Sequence, residues 1–111
     1  MDIHALLLQA EENLKSGHYQ AAFDLYQQIV SDQSAPIEAL VGLAMAQYRL
    51  GQFSDAVQTA MQVLARDQQQ IRAGLVASAG LIELGRYSEA VRIANATLEI
   101  EADNRFALSS K

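Results

Sequence analysis

Two histidines and thirteen acidic residues are the side chains of this chain that could carry proton chemistry. A general base needs a proton donor in reach and a third group to orient it. His4 and His18 stand near Asp2, Glu11 and Glu12, but no nucleophile is spaced to complete a set with them. His18 falls beside a glycine, where a turn exposes it. Glu11, Glu12, Asp55 and Glu89 have the placement of first-turn or surface charges. With no cysteine, thiolate nucleophiles, disulfides and thiolate metal sites are excluded. No glycine-rich phosphate loop or metal-ligand spacing occurs. The chain is therefore not expected to be an enzyme, and no catalytic, metal or cofactor residue is assigned.

The remaining chemistry is that of a binding surface. The net charge is −5 and the eight basic residues are scattered, which argues against a phosphate backbone as partner, and no nucleic acid is expected. No apolar run approaches the length that spans a bilayer, and Met1-Asp2-Ile3-His4 followed by Ala5–Leu8 is no secretory leader. A cytoplasmic protein without membrane insertion is expected. The 111 residues suit one domain, residues 1–111, and half of them are apolar.

What organises the chain is a repeat. Gly17-His-Tyr19-Gln-Ala-Ala22-Phe23, Gly51-Gln-Phe53-Ser-Asp-Ala56-Val57 and Gly85-Arg-Tyr87-Ser-Glu-Ala90-Val91 align without a gap, 34 residues apart. The phase extends outward to Ala10, Ala44 and Ser78, and to Val30, Leu64 and Leu98. An ordinary six-helix bundle would not repeat one side-chain pattern three times in phase. After Gly51, Phe53, Ala56, Val57, Ala60, Met61 and Leu64 form one stripe at helical spacing, and the segments after Gly17 and Gly85 show the same stripe. Ile37–Leu50 is apolar nearly all round, which predicts a helix buried on several sides. The spacing predicts helices over about 3–16, 19–32, 36–50, 53–66, 69–84 and 87–100. Each repeated glycine ends a helix in a left-handed conformation. Each repeated alanine lets two helix axes approach. Ser54 and Ser88 are expected N-caps, Pro36 an early helix residue, and Gln68-Gln69-Gln70 a polar connector. Gly74 and Gly80 should weaken the fifth helix by about 1 kcal/mol each if exposed.

A 34-residue helix–turn–helix unit with this glycine–aromatic–alanine core resembles the tetratricopeptide repeat (TPR) family. The resemblance covers residues 3–102, with repeats at about 3–36, 37–70 and 71–104. The small residue of the first helix is Ala10, Ala44 and Ser78, and the alanine of the second is Ala22, Ala56 and Ala90. There are departures. Leu6, Leu40 and Gly74 replace the family's large aromatic, Asn13, Gln47 and Leu81 its tyrosine, and Ser34, Gln68 and Ala102 its closing proline. The resemblance implies an all-α, right-handed superhelical solenoid of three antiparallel helix pairs, plus a short C-terminal helical segment. It also implies a concave groove that holds a protein or peptide partner.

Projected onto that scaffold, the groove candidates are Leu7, Glu11, Leu14, Val41, Met45, Tyr48, Arg49, Arg72, Leu75 and Ile82. His4, Lys15, Glu38, Ala79 and Glu83 stand beside them. An apolar floor with a charged rim suits a helix or a hydrophobic peptide. One TPR subgroup clamps a C-terminal carboxylate with Lys, Asn and Arg. Here those positions are Leu7, Glu11, Gly42, Arg72 and Val76. Only Arg72 fits, and no such clamp is expected. The expected function is a protein–protein interaction adaptor or scaffold. The alternative is a structural or self-association module of a larger protein or complex.

The end of the chain is expected to be unfinished. Asp103 or Asn104 could cap a new helix with Phe106 and Leu108 on it, so 105–111 reads as the truncated start of a fourth repeat or a capping helix. Either the last pair's apolar flank forms a homo-oligomer through this end, or the chain is a piece of a longer protein whose next helix covers it.

Overall fold

A computed structural model describes residues 2–31 and 35–109, with the backbone alone for 101–109. Six helices follow one another: α1 (Ile3–Lys15), α2 (Tyr19–Val30), α3 (Ile37–Arg49), α4 (Phe53–Arg66), α5 (Ile71–Glu83) and α6 (Tyr87–Ser109). Each packs on the helices before and after it in sequence, and α1–α3 and α3–α5 contacts join the first helices of successive pairs. No helix of the described residues is long and apolar enough to cross a membrane.

The three glycine turns share one geometry. Gly17, Gly51 and Gly85 have φ of 87°, 83° and 79°. In each, the glycine N–H donates to the carbonyl three residues back and the next N–H to the carbonyl five back, as in Gly51 to Tyr48 (3.1 Å) and Gln52 to Gln47 (2.9 Å). This double closure satisfies two carbonyls at each helix end. The residue after the glycine also opens the next helix, since the His18, Gln52 and Arg86 carbonyls accept from Ala22, Ala56 and Ala90. The linker is thus too short for Ser54 and Ser88 to cap. Both lie inside the first turn of their helices, and Gln52 holds the N-cap of α4 without a side-chain bond. Asp2, which the repeat pattern does not mark, caps α1 by accepting from the Ala5 N–H at 3.3 Å. Pro36 stands at the N-cap of α3. Asp67 closes the polar connector, accepting from the Gln69 N–H (3.0 Å) and the Gln70 amide (3.2 Å).

Ala22, Ala56 and Ala90 are buried where the pairs close. One core cluster joins Leu40, Val41 and Ala44 to Ala60, Val63, Ala73 and Val76, and another joins Ala10 to Tyr26, Ile29 and Leu43. As its composition predicts, α3 is buried around most of its circumference. Gly74 and Gly80 are buried rather than exposed, which changes their reading. A methyl group on Gly74 would overlap Thr97 Oγ1, and one on Gly80 would lie 2.7 Å from Val57 Cγ2. These glycines allow α5 to lie close to α6 and α4.

The C-terminal segment is helical, but it continues α6 without a break through Asp103 and Asn104 instead of starting a new helix. The cap and the apolar surface expected of Phe106 and Leu108 fall outside the described side chains. The second helix ends at Val30 with Ser31 as its C-cap, and residue 32, the last expected of it, lies outside the described residues, as does the closing position at Ser34.

Candidate functional site: a cleft across the first helices

A cleft of about 850 Å3 runs across α1, α3 and the start of α5. From α1 come Glu11, Leu14 and Lys15, from α3 Glu38, Val41, Gly42, Met45 and Arg49, and from the start of α5 Ile71 and Arg72, preceded by Gln70. Of the expected groove residues, Glu11, Leu14, Val41, Met45, Arg49 and Arg72 line it, with Lys15 and Glu38 beside them. Leu7, Tyr48, Leu75 and Ile82 do not. Leu7 packs half-buried onto the first-pair core. Tyr48 turns to Phe53, ring edge to ring face at 5.4 Å between centroids. Leu75 and Ile82 are exposed.

Two tyrosines that the pattern assigned to the second helix reach the same cleft. Tyr19 meets it beside Arg49, whose guanidinium lies 5.9 Å from the ring centroid. Tyr26 is buried, with its ring against the backbone of Gly42. At the positions one and two repeats on, Ala60 and Ala94 replace Tyr26, and Val76 replaces Gly42 one repeat on. The missing side chain at Gly42 is what lets the phenol lie through to the cleft floor. Burial pushes the Tyr26 hydroxyl up to about 12, the Glu11 carboxylate adds to the rise, and Arg72 works against it.

The rim is charged in both signs, with Lys15, Arg49 and Arg72 against Glu11 and Glu38. None of the five forms an ion pair with another described residue; Arg86 and Glu89 pair at 2.7 Å elsewhere on the surface. Lys15, Arg49 and Glu38 sit at the helix ends that favour their charge. Arg72 does not, because it lies in the first turn of α5, where the helix dipole disfavours a cation. Among the described residues no group of three potential metal ligands assembles.

Stacked helix pairs with an open, mixed-polarity cleft on their first helices define a helical-repeat fold. The family comparison agrees: the tetratricopeptide repeat model matches residues 13–79, more than half of the chain. The chain belongs to the tetratricopeptide repeat family. No curated protein matches the chain closely enough to count as a relative. TPR repeats generally mediate protein–protein interaction or assembly and are typically non-catalytic.

Proposed function

We propose that this protein is an adaptor that holds a peptide or a helix of a protein partner in the α1–α3–α5 cleft, without catalysis of its own. The observation that carries this reading is Arg72. Its cation opposes the dipole of its own helix and forms no ion pair among the described residues, yet it faces a cleft floored by Val41 and Met45. An acidic group of a partner would give this cation the pairing that its own helix does not supply. The apolar floor supplies area, and the five rim charges set the register of the guest.

The test is selection of peptides from a displayed random library on the immobilised chain. Selected peptides should lose at least tenfold in affinity on Met45→Glu and on Arg72→Glu, with melting temperatures close to the parent's. Peptides that bind both variants as well as the parent would place binding elsewhere.

Assembly is the second reading, and one observation favours it: Leu75, Ile82, Tyr87, Val91 and Leu98 lie exposed along the last pair.

A further inference from the structure

Of the five charges on the cleft rim, three are accounted for by their own helices. Glu38 stands in the first turn of α3, and Lys15 and Arg49 stand in the last turns of α1 and α3. Two are not. Arg72 lies in the first turn of α5, and Glu11 lies beyond the first turn of α1, which is the turn that favours an anion. Neither forms an ion pair with another described residue. They stand on opposite walls, because α3 lies between α1 and α5 and touches both.

Between them is the Tyr26 hydroxyl. A methyl group on Gly42 of α3 would overlap this oxygen as well as the ring, which places the hydroxyl over the middle helix of the cleft. The residue is 1 % exposed, yet its hydroxyl makes no hydrogen bond to another described residue. Among the described residues no fully buried side-chain oxygen is left without a partner, so this one opens into the cleft. Glu11 raises its proton affinity and Arg72 lowers it, so both charges reach the same oxygen. Across the cleft the order is thus anion, phenol donor, cation. Gln70 holds the N-cap of α5 without a side-chain bond, which leaves that end rich in N–H donors beside Arg72.

We propose that the cleft reads a mixed-charge segment of a partner polypeptide, extended across α1, α3 and α5, with a basic side chain on Glu11, a backbone carbonyl on the Tyr26 hydroxyl and an acidic side chain on Arg72. This rests on the adaptor reading and deepens it by naming the guest. Packed helix axes lie about 8–10 Å apart, and an extended chain rises about 3.3 Å per residue. Two such interaxial steps, less the inward reach of the Glu11 and Arg72 side chains, set the basic and acidic residues about three to six positions apart. A uniformly acidic guest would meet Glu11 and Glu38 as like charges. A phosphate, at about −1.5 to −2 charges, carries more than Arg72 alone can balance beside Glu11.

Parallel selections from a displayed random-peptide library, on the full chain and on its Glu11→Lys and Arg72→Glu variants, test this. Peptides selected on the parent should carry one base and one acid at a constant separation, those on Glu11→Lys two acids, and those on Arg72→Glu two bases. A peptide selected on the parent should lose at least tenfold in affinity on Arg72→Glu and regain it when its own acid is changed to lysine. Tyr26→Phe should weaken the same peptide about threefold or more without altering its charge preference. Peptides that Met45→Glu weakens but that carry no such pair, or whose loss the exchanged charge does not restore, overturn the inference and leave the adaptor reading standing. So does a preference for two acids, or for a free C-terminal carboxylate, on the parent. Self-association of the chain that Met45→Glu abolishes assigns the cleft to a second copy and overturns it too. A library that yields no peptide weakened by Met45→Glu overturns both readings.

Discussion

The phenol ring of Tyr26 lies directly against the backbone of Gly42, so that a methyl group on Gly42 would overlap Cζ of the ring. The next junction, between the second and third pairs, has the opposite sizes, Ala60 beside Val76. Gly42→Ala should therefore destabilise the protein by about 1–3 kcal/mol, the usual cost of overpacking, despite the better helix propensity of alanine. Tyr26→Ala alone should cost about 3–5 kcal/mol through the cavity it leaves. Tyr26→Ala combined with Gly42→Val copies the Ala60–Val76 arrangement and should cost clearly less than the sum of the single changes. Urea unfolding of the double-mutant cycle checks this; strict additivity would show that the two side chains are not coupled.

The buried Tyr26 hydroxyl gives a pH signature. Its proton is held to about 12 in the folded chain and to about 10 when unfolded. Between those values the unfolded state has lost the proton and the folded state has not, so stability falls as pH rises. The contribution is fully present below about pH 10 and is lost as the pH rises through about 12. Tyr26→Phe keeps the ring and should flatten that part of the decline relative to the parent. Ultraviolet titration of tyrosinate should lose its latest step in the same variant.

Gln47 and Thr59 join the second pair through a buried hydrogen bond. The Thr59 hydroxyl lies 2.8 Å from Gln47 Oε1, with the Asp55 carbonyl also in reach at 3.0 Å. Thr59→Val removes the donor and leaves a buried amide oxygen short of a partner, at a cost of about 1–3 kcal/mol. The third pair has Leu81 and Ile93 at these positions, packed as an apolar contact. Gln47→Leu with Thr59→Ile should therefore restore most of the stability lost in the single change. Thermal melts of the three variants decide it; a double variant less stable than Thr59→Val would contradict this account.

How much of this could be read beforehand depended on whether the cause was local. The turns were legible, because a left-handed residue closing a helix demands glycine and the phase of Gly17, Gly51 and Gly85 is visible in one chain. Ser54 and Ser88 have the capping propensity but not the position, because the double closure at each glycine leaves only three residues between the helices and puts the N-cap of α4 at Gln52. Gly74 and Gly80 looked like weak points of a helix because propensity describes an exposed helix, whereas here both are contact points. The cleft was legible along the first helices from Glu11 to Arg72. Tyr26 was not, since it belongs to a second helix and reaches the cleft floor only over Gly42. One signal was present: size is traded between the Tyr26–Gly42 and Ala60–Val76 pairs, and comparing repeats in pairs of positions would have found it. Leu75 and Ile82 matched groove positions, but groove surroundings at the last pair need a following helix.

The central claim is that the α1–α3–α5 cleft is the place where a partner chain is held. Amide chemical-shift mapping of the labelled protein with a library-selected peptide tests it most directly. The largest saturable shifts should fall on Glu11, Met45, Arg49 and Arg72, with Tyr26→Phe altering the shifts at Gly42 and Met45. Shifts confined to the outer faces of α2 and α4, with the cleft unmoved at saturation, would contradict the claim.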